Sequence, residues 1–565
     1  MSFREWLKGK REYLIIGAAV MLALAAAMAL FPSYYALNDD STMKSILSGA
    51  YTGSPNGHAV YMKYPLTGIL SLLYRWTNKV PWYDILMLGC FWGAIASVVG
   101  RSYALRTRLL QKSKGVSVCL VVGSVSLCFA LFVPQVFLIH YTLVAAMVGG
   151  CGLFLLMTGG GAASVVLLVL CYCIRSQVFF LLLPFCLLVL LWNAMDRKGA
   201  VMLRHGLILA AGVMLCMLWN GSMYQSDAWQ YYEEYNDSRT QLYDYDKLLP
   251  YEENADAFEA AGINQLQHRL LDEYALVLAD DITPEVLETA AELTAAKRKE
   301  SRNESEYLIT CVKEYYYHIR YNDQPYNYIL LGGCLAVLVL LLRQRQWLKL
   351  ALLGCFLGGR SLIWIFLIWR GRFPERVYVS LYFLEIMVLA GMLLQLLMQS
   401  KPLEENDRAS GKRGKLSLVI AGVISCLLLA AGVSLCPKMQ ERLREQTRNQ
   451  EEWLALTTYC DSHPETTFLL DINSTVDYSG ELWSGIQKKE NYLLAGGWMS
   501  ESPLLKERIR SLKPEECAYI IAADRETDWL SEYCEEYLEE IRMEKTDSIC
   551  LKEQVLFDVY RPATE

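Results

Sequence analysis

Asn38-Asp39-Asp40 stands immediately after a long and nearly charge-free run, Tyr13 to Leu30. Two adjacent carboxylates at a membrane surface support two kinds of chemistry. Together they can coordinate a divalent cation such as Mg or Mn, or one can act as general base while the other orients it. Partial desolvation raises a carboxyl pKa toward the working range. The competing reading is helix capping, with Asp39 or Asp40 starting a short helix over Thr42 to Leu47.

Basic residues supply the other half of the chemistry. Arg175 lies between two apolar runs, Arg360 lies inside one, and Arg370-Gly371-Arg372-Phe373-Pro374-Glu375-Arg376 separates two late ones. A guanidinium near membrane depth is costly, so each is a functional candidate, the alternative being snorkelling or pairing with Asp84, Glu375 or Glu385. The planar fork of arginine suits phosphate because it binds two oxygens at once. Arg175, Arg372 and Arg376 are therefore the expected phosphate contacts. His58 and Glu375 are the expected acceptor contacts, Glu375 also pairing with the two arginines beside it, and His58 reads more readily as a solvated loop histidine. Six histidines without HxxxH or HxH spacing do not support zinc.

These residues need a scaffold, and composition indicates its class. The 565 residues are 54% hydrophobic and only 20% charged, and the apolar surplus is concentrated in runs. Several reach the roughly 20 residues that carry a helix across about 30 Å of hydrocarbon. A soluble enzyme, a nucleic-acid-binding module, a secreted disulfide scaffold and a disordered chain are excluded. Spans are expected near 13–31, 83–100, 116–133, 136–157, 161–174, 177–194, 206–222, 326–342, 348–369, 377–398 and 416–435. Two of them, 161–174 and 326–342, are short for a straight crossing.

Arg4, Lys8, Lys10 and Arg11 precede the first run, which reads as a retained span with a cytoplasmic amino terminus. The cytoplasmic loops then hold Arg101, Arg106, Arg108, Lys112 and Lys114, then Arg197, Lys198 and Arg204, then Arg343, Arg345 and Lys349, then Lys401, Arg408, Lys412, Arg413 and Lys415. That is the positive-inside pattern. Nine bases oppose it from the outer side: Lys44, Lys63, Arg75, Lys79, Arg175, Arg360, Arg370, Arg372 and Arg376. Their grouping points to an anionic partner held there.

The expected fold class is a polytopic α-helical membrane protein of about 11 spans, with a helical external loop and a small external C-terminal α/β domain. Residues 1–222 form an N-terminal transmembrane module with its first external loop at 32–82. Residues 223–325 form the external loop, 326–436 a C-terminal transmembrane module and 437–565 the external domain. The loop has 22 acidic against 9 basic residues and the tail 27 against 15, so the net charge of −7 conceals two acidic parts on a basic membrane body. Thr283-Pro284-Glu285 opens a helix over Val286 to Lys299. In the tail, a helix over 438–458 leads to strands at Thr467–Ile472 and Ala518–Ala522, a helix at Glu526–Arg542 and a strand at Ser548–Tyr560. Cys460, Cys517, Cys534 and Cys550 allow three disulfide pairings, none of them selected by spacing.

After Asp39-Asp40 comes a small amphipathic segment, then Gly57-His58-Ala59-Val60-Tyr61-Met62-Lys63-Tyr64-Pro65-Leu66, then an apolar stretch and a second span. Over residues 13 to 100 this resembles the first external loop of the GT-C superfamily. These are integral membrane glycosyltransferases that use lipid-phosphate sugars, among them protein mannosyltransferases and aminoarabinose transferases. They have an acidic residue or pair just outside the first span, a membrane-parallel helix and a Lys-Pro-Pro-Leu-like element, in which Tyr64 here replaces the first proline. The resemblance implies that Asp39 or Asp40 activates the acceptor or helps hold a metal, and that Lys63 contacts the donor phosphate.

The function so implied is transfer of a sugar, with inversion, from a polyprenyl-phosphate carrier to an extracytoplasmic glycan, lipid or protein acceptor in cell-envelope glycan assembly. Two alternatives remain open. One is a cell-envelope polysaccharide polymerase or ligase that relies on arginines rather than an acidic pair. The other is a flippase or transporter of lipid-linked glycans, against which no internal repeat links the two halves. In the first reading the acidic loop and tail bind or gate the acceptor, with Trp229, Tyr231, Tyr232, Trp483 and Trp498 either stacking on sugar rings or forming core.

Overall fold

A computed structural model describes residues 3–110, 114–399, 412–483, 489–509, 512, 517–538 and 541–564. Lys112, Lys401 and Arg408 of the expected cytoplasmic loops lie outside the described residues. Helix α1 (Phe3–Leu30) leads to a two-residue strand β1 (Tyr34–Tyr35), then to α2 (Asn38–Ser48), α3 (Tyr64–Trp76), α4 (Trp82–Leu110) and α5 (Lys114–Phe132). Next come β2 (Leu138–Ile139), α6 (Tyr141–Thr158), α7 (Ala162–Ile174), α8 (Ser176–Asn193) and α9 (Gly199–Met223). A cap follows as α10 (Asp227–Thr240), α11 (Tyr251–Ala260), α12 (Gln265–Asp272) and α13 (Pro284–Ser301). Then α14 (Glu304–Tyr317) leads to α15 (Tyr326–Gln344), α16 (Trp347–Trp369) and α17 (Glu375–Gln399), before a helix over Lys412–Ser434 and a linking helix over Cys436–Ser462.

Among the described residues nine helices are long and apolar enough to cross a membrane, and Leu120–Val136 and Ala162–Ile174 are shorter apolar helices. The chain is a polytopic helical protein by that measure. Helix α6 is its centre, packed against α17, α4, α7 and α8. Gly150 permits a close approach of α6 to the α17 backbone, since a Cβ there would stand 3.0 Å from the Phe383 carbonyl oxygen. The run expected to be helical from 136 begins its helix only at Tyr141. Leu138 and Ile139 instead pair in parallel with Tyr34 and Tyr35, which satisfies their backbone groups and ties the start of α2 to the start of α6.

The short crossing at 326–342 has a structural reason. Helix α14 lies antiparallel along α16: the Tyr307 hydroxyl donates to the Trp369 carbonyl at 3.2 Å and the Tyr315 hydroxyl bonds Ser361 Oγ at 2.6 Å. Helix α15 continues the descent, and its far end reaches the Leu396 carbonyl through Gln344 Nε2 at 3.0 Å. The two helices thus form one broken path, and α14 sits beside the spans rather than over them. Polar side chains occupy the break: His318 Nδ1 lies 2.9 Å from Asp323, which also accepts from the Tyr382 hydroxyl at 3.1 Å. Asn327 Nδ2 donates to the Ile319 carbonyl at 2.8 Å, satisfying a backbone group that the break frees.

Arg360 is spent beside this break. Its Nε stands 3.0 Å from Glu385 Oε2, both groups are fully buried, and Trp364 Nε1 donates to Glu385 at 2.9 Å. Glu385→Leu alone leaves a buried guanidinium without its partner and should lower stability by about 3–5 kcal/mol. Adding Arg360→Met should recover most of that loss. Melting temperatures of the three proteins in detergent test this, and a double variant as weak as the single one would contradict a pairing role.

The C-terminal domain is a five-stranded sheet of order β4-β3-β5-β7-β6, from β3 (Thr467–Leu470), β4 (Tyr492–Leu494), β5 (Cys517–Ala522), β6 (Ile541–Leu551) and β7 (Gln554–Thr564). The first three are parallel and the last two form an antiparallel hairpin. The expected single strand over 548–560 is thus two strands. Lys552 and Glu553, both at positive φ, make the tight turn between them, and the preceding helix stops at Tyr537. Cys460, Cys517 and Cys534 are buried free thiols and Cys550 an exposed one. Cap and domain are not separate bodies. Tyr235, Phe258, Leu271 and Leu287 of the cap share one apolar core with Tyr519, Ile521 and Trp529 of the sheet and its helix.

Candidate functional site

Helix α2 begins at Asn38, and its N-cap residue is Leu37, with no side-chain capping bond. Asp39 and Asp40 are therefore not caps but first-turn residues, where the helix dipole favours carboxylates. Successive residues on a helix point about 100° apart, so the two carboxyl groups diverge. Asp39 lines a cavity of about 610 Å³. Asp40 is fully buried behind it, accepting from the Tyr83 hydroxyl at 2.6 Å and from the Tyr141 N–H at 3.4 Å.

The same cavity is lined by Lys63, Arg175, Arg372 and Arg376. Lys63 is the residue before α3, and its N–H donates to the Cys173 carbonyl at 2.8 Å, which sets it beside Arg175. Tyr64, in the place of a proline, donates its N–H to Asn220 at 2.9 Å, a bond that proline cannot make, and so anchors the loop to α9. Arg175 breaks the apolar run into α7 and α8 with an extended backbone. Its guanidinium lies over the rings of Tyr61 and Tyr141 at 4.8 and 5.1 Å, a cation–π seat. Nη1 of Arg175 is buried with no hydrogen-bond partner among the described residues.

Arg376 stands in the first turn of α17, and Arg372 ion-pairs with Asp244 just beyond α10. Among the described residues, Lys63, Arg175 and Arg376 carry cationic heads that take no ion pair or side-chain hydrogen bond. The remaining walls differ in character. Val178 and Leu181 of α8, Leu367 of α16 and Val377 of α17 make an apolar side, while Glu233, Asn236, Asp237 and Thr240 of α10 make a polar one.

Electrostatics separate the two aspartates. Burial raises the Asp39 pKa above the usual carboxylate range, opposed by Arg175 and Arg376, a hydrogen bond from Trp498, and Arg239. A carboxylate that holds a proton more tightly is a better general base. Burial pushes Asp40 up to about 8, with Asp39 and Asp84 adding repulsion and the Tyr83 hydrogen bond opposing it, so Asp40 carries its proton at neutral pH. Burial and the adjacent Arg175 lower the Lys63 pKa, against the pull of Glu233.

Asp40 supplies a stability test. Its folded pKa lies above that of an unfolded aspartate, so its contribution is fully present below the unfolded value and is lost as pH rises through about 8. Asp40→Asn is neutral at every pH. Its melting temperature should fall less than that of the unaltered protein between about pH 6 and about pH 9. An unchanged slope would mean that Asp40 is already ionised at the lower pH.

The structure arranges three expected sites differently from the sequence reading. The Asp39 and Asp40 carboxyl groups diverge, Asp39 faces arginines, and no group of three or more His, Cys, Asp or Glu that could hold a metal occurs among the described residues. His58 is neither solvated nor on the cavity wall. It stacks on Trp229 at 4.8 Å between the edges of Tyr64 and Tyr224, its ring nitrogens facing Asn56 Oδ1 at 2.7 Å and the Met223 carbonyl at 3.1 Å. Glu375 pairs with Lys438 at 3.4 Å and with Arg442 of the linking helix rather than with Arg372 or Arg376. It lies outside the cavity wall because the helix start turns it toward its own flank.

Several wall residues escaped the sequence reading: Tyr61, Tyr141, Gln177, Asn220 and the α10 face. The last had a signal, since Glu233, Asn236, Asp237 and Thr240 recur at helical spacing. No protein-family model, curated protein or solved structure matches this chain.

Proposed function

We propose that the cavity binds a polyprenyl-phosphate sugar and transfers the sugar to an acceptor hydroxyl, with inversion. The carrying observation is the convergence of three cations without ion pairs, Lys63, Arg175 and Arg376, on one cavity that Asp39 also lines. Asp39 takes the proton from the acceptor hydroxyl. The acceptor oxygen forms its bond to the anomeric carbon as the bond from that carbon to the phosphate oxygen breaks, and the electron pair leaves with the phosphate. The cations neutralise that charge as it develops, which is where electrostatic stabilisation acts most strongly. The apolar wall of Val178, Leu181, Leu367 and Val377 suits the isoprenoid chain.

The resemblance of the first loop to GT-C enzymes agrees with this assignment, as does a topology with the cap and C-terminal domain extracytoplasmic and the amino terminus cytoplasmic. The polar α10 face then meets the acceptor. The test is sugar transfer by the purified protein in lipid micelles from a panel of labelled polyprenyl-phosphate sugars. Turnover of a member of the panel supports the reading. Transfer that survives Asp39→Asn undiminished would move the assignment to an arginine-based polymerase or ligase.

A further inference from the structure

Gly496-Gly497-Trp498 forms a turn just after β4 that leaves the sheet and reaches Tyr61 of the cavity wall. Both glycines are required by its path. A Cβ at Gly496 would stand 1.8 Å from the Tyr274 carbonyl oxygen of the cap, and Gly497 has φ +89°. Trp498 is 9% exposed and makes three contacts at once. Its ring packs on Tyr61 at 4.7 Å, its carbonyl accepts from the Tyr232 hydroxyl at 2.6 Å, and its side chain favours the ionised form of Asp39. Tyr61 and Tyr232 are cavity walls, and Tyr61 is also the seat of Arg175.

The same domain clasps the start of α2 from behind. Ser479 Oγ donates to the Tyr35 carbonyl at 2.5 Å, the Gly480 N–H to Ser41 Oγ at 2.8 Å, and the Trp483 N–H to Asp84 at 2.9 Å. Asp84, fully buried, also holds Lys44 at 3.1 Å and the Tyr35 hydroxyl. Thus α2, which carries Asp39, is gripped on both sides by one domain that begins about 400 residues later in the chain.

We propose that Trp498 is the positioning residue for Asp39, aiming its carboxylate and holding the Tyr61 platform, so that the reacting end of the cavity is complete only with the C-terminal domain docked. This rests on the reading of Asp39 as the base. The charged and titratable groups that face Asp39 are Arg175, Arg376 and Arg239, its neighbour Asp40, and Tyr61, Tyr141 and Tyr274. None of them comes from the C-terminal domain. Trp498 is that domain's contribution to the carboxylate, and it favours the ionised form.

Trp498→Phe keeps an aromatic ring against Tyr61 and removes the N–H, while Trp498→Ala removes both. In the full-length protein in lipid micelles, Trp498→Phe should lower kcat about tenfold, leave the donor KM within about twofold, and move the acid limb of the kcat/KM profile to higher pH. Carboxyl-13C spectra of aspartate-labelled protein, with the Asp39 signal assigned by its loss in Asp39→Asn, should show the same upward move. Trp498→Ala should add a rise in donor KM as the Arg175 seat loosens. Turnover and titration unchanged in Trp498→Phe would overturn the proposal, and so would a fall in kcat with neither profile moved. A shifted Asp39 signal in a protein that transfers no sugar would uphold the Trp498–Asp39 coupling and overturn the transferase reading instead.

Discussion

Asp39→Asn is expected to reduce sugar transfer by about a thousandfold, within the range for loss of a general base, with the donor KM little changed. Asparagine has the shape of the carboxylate and can accept no proton from the acceptor. Asp40→Asn is expected to stay within about threefold of the unaltered rate, because Asp40 is already protonated at neutral pH and an amide reproduces its neutral form and its bond from Tyr83. The contrast between adjacent positions separates a chemical role from damage to α2. Initial rates at saturating donor measure it, with circular dichroism confirming that both variants fold. Equal losses would remove Asp39 from the chemistry. The acid limb of the rate profile should also lie above the range of a free aspartate, since Asp39 acts when ionised and burial raises its pKa.

Arg376→Ala and Arg175→Ala are each expected to lower kcat/KM for the lipid donor by about a hundredfold to a thousandfold, the scale for removing one donor to a developing anion. Both guanidinium groups reach the cavity without an ion pair, so their charge is available to a phosphate. Arg372→Ala should cost less, about tenfold, because Asp244 already engages that charge. Arg175→Lys should recover little of the Arg175→Ala loss: an ammonium neither stacks flat on Tyr61 and Tyr141 nor grips two oxygens. Rates at sub-saturating donor rank the four variants. Arg372→Ala as severe as Arg376→Ala would undo the division between paired and unpaired cations.

Hydropathy made most of the membrane part legible, because a helix in lipid must satisfy its backbone internally and is long and apolar as a result. The candidate cations were legible for the converse reason, that charge near apolar runs is conspicuous. Partner choice was not legible. Arg360 and Arg175 read alike in sequence, yet one ion-pairs with Glu385 and the other lines the cavity with no ion pair among the described residues. Pairing depends on which helices become neighbours, and that is a tertiary fact. The break at 318–325 was hidden similarly, since α14 carries enough charge to look like part of a solvated loop. Trp498 was seen only as a residue for sugar stacking or core, because nothing local in Ala495-Gly496-Gly497-Trp498 announces a neighbour more than 450 positions earlier.

The apolar core common to the cap and the C-terminal domain sets a timetable for biosynthesis. The cap's share of it, Tyr235 to Ala291, is synthesised about 200 residues before the first partner residue, Ala495. At about 5–20 residues per second the cap waits roughly 10–40 seconds with Phe258, Leu271 and Leu287 uncovered, while α14 to α17 are still being inserted. Throughout that interval the nascent cap is a client for whatever chaperone guards its side of the membrane, and a ribosome stalled before Cys517 would leave it without the strand and helix that close it.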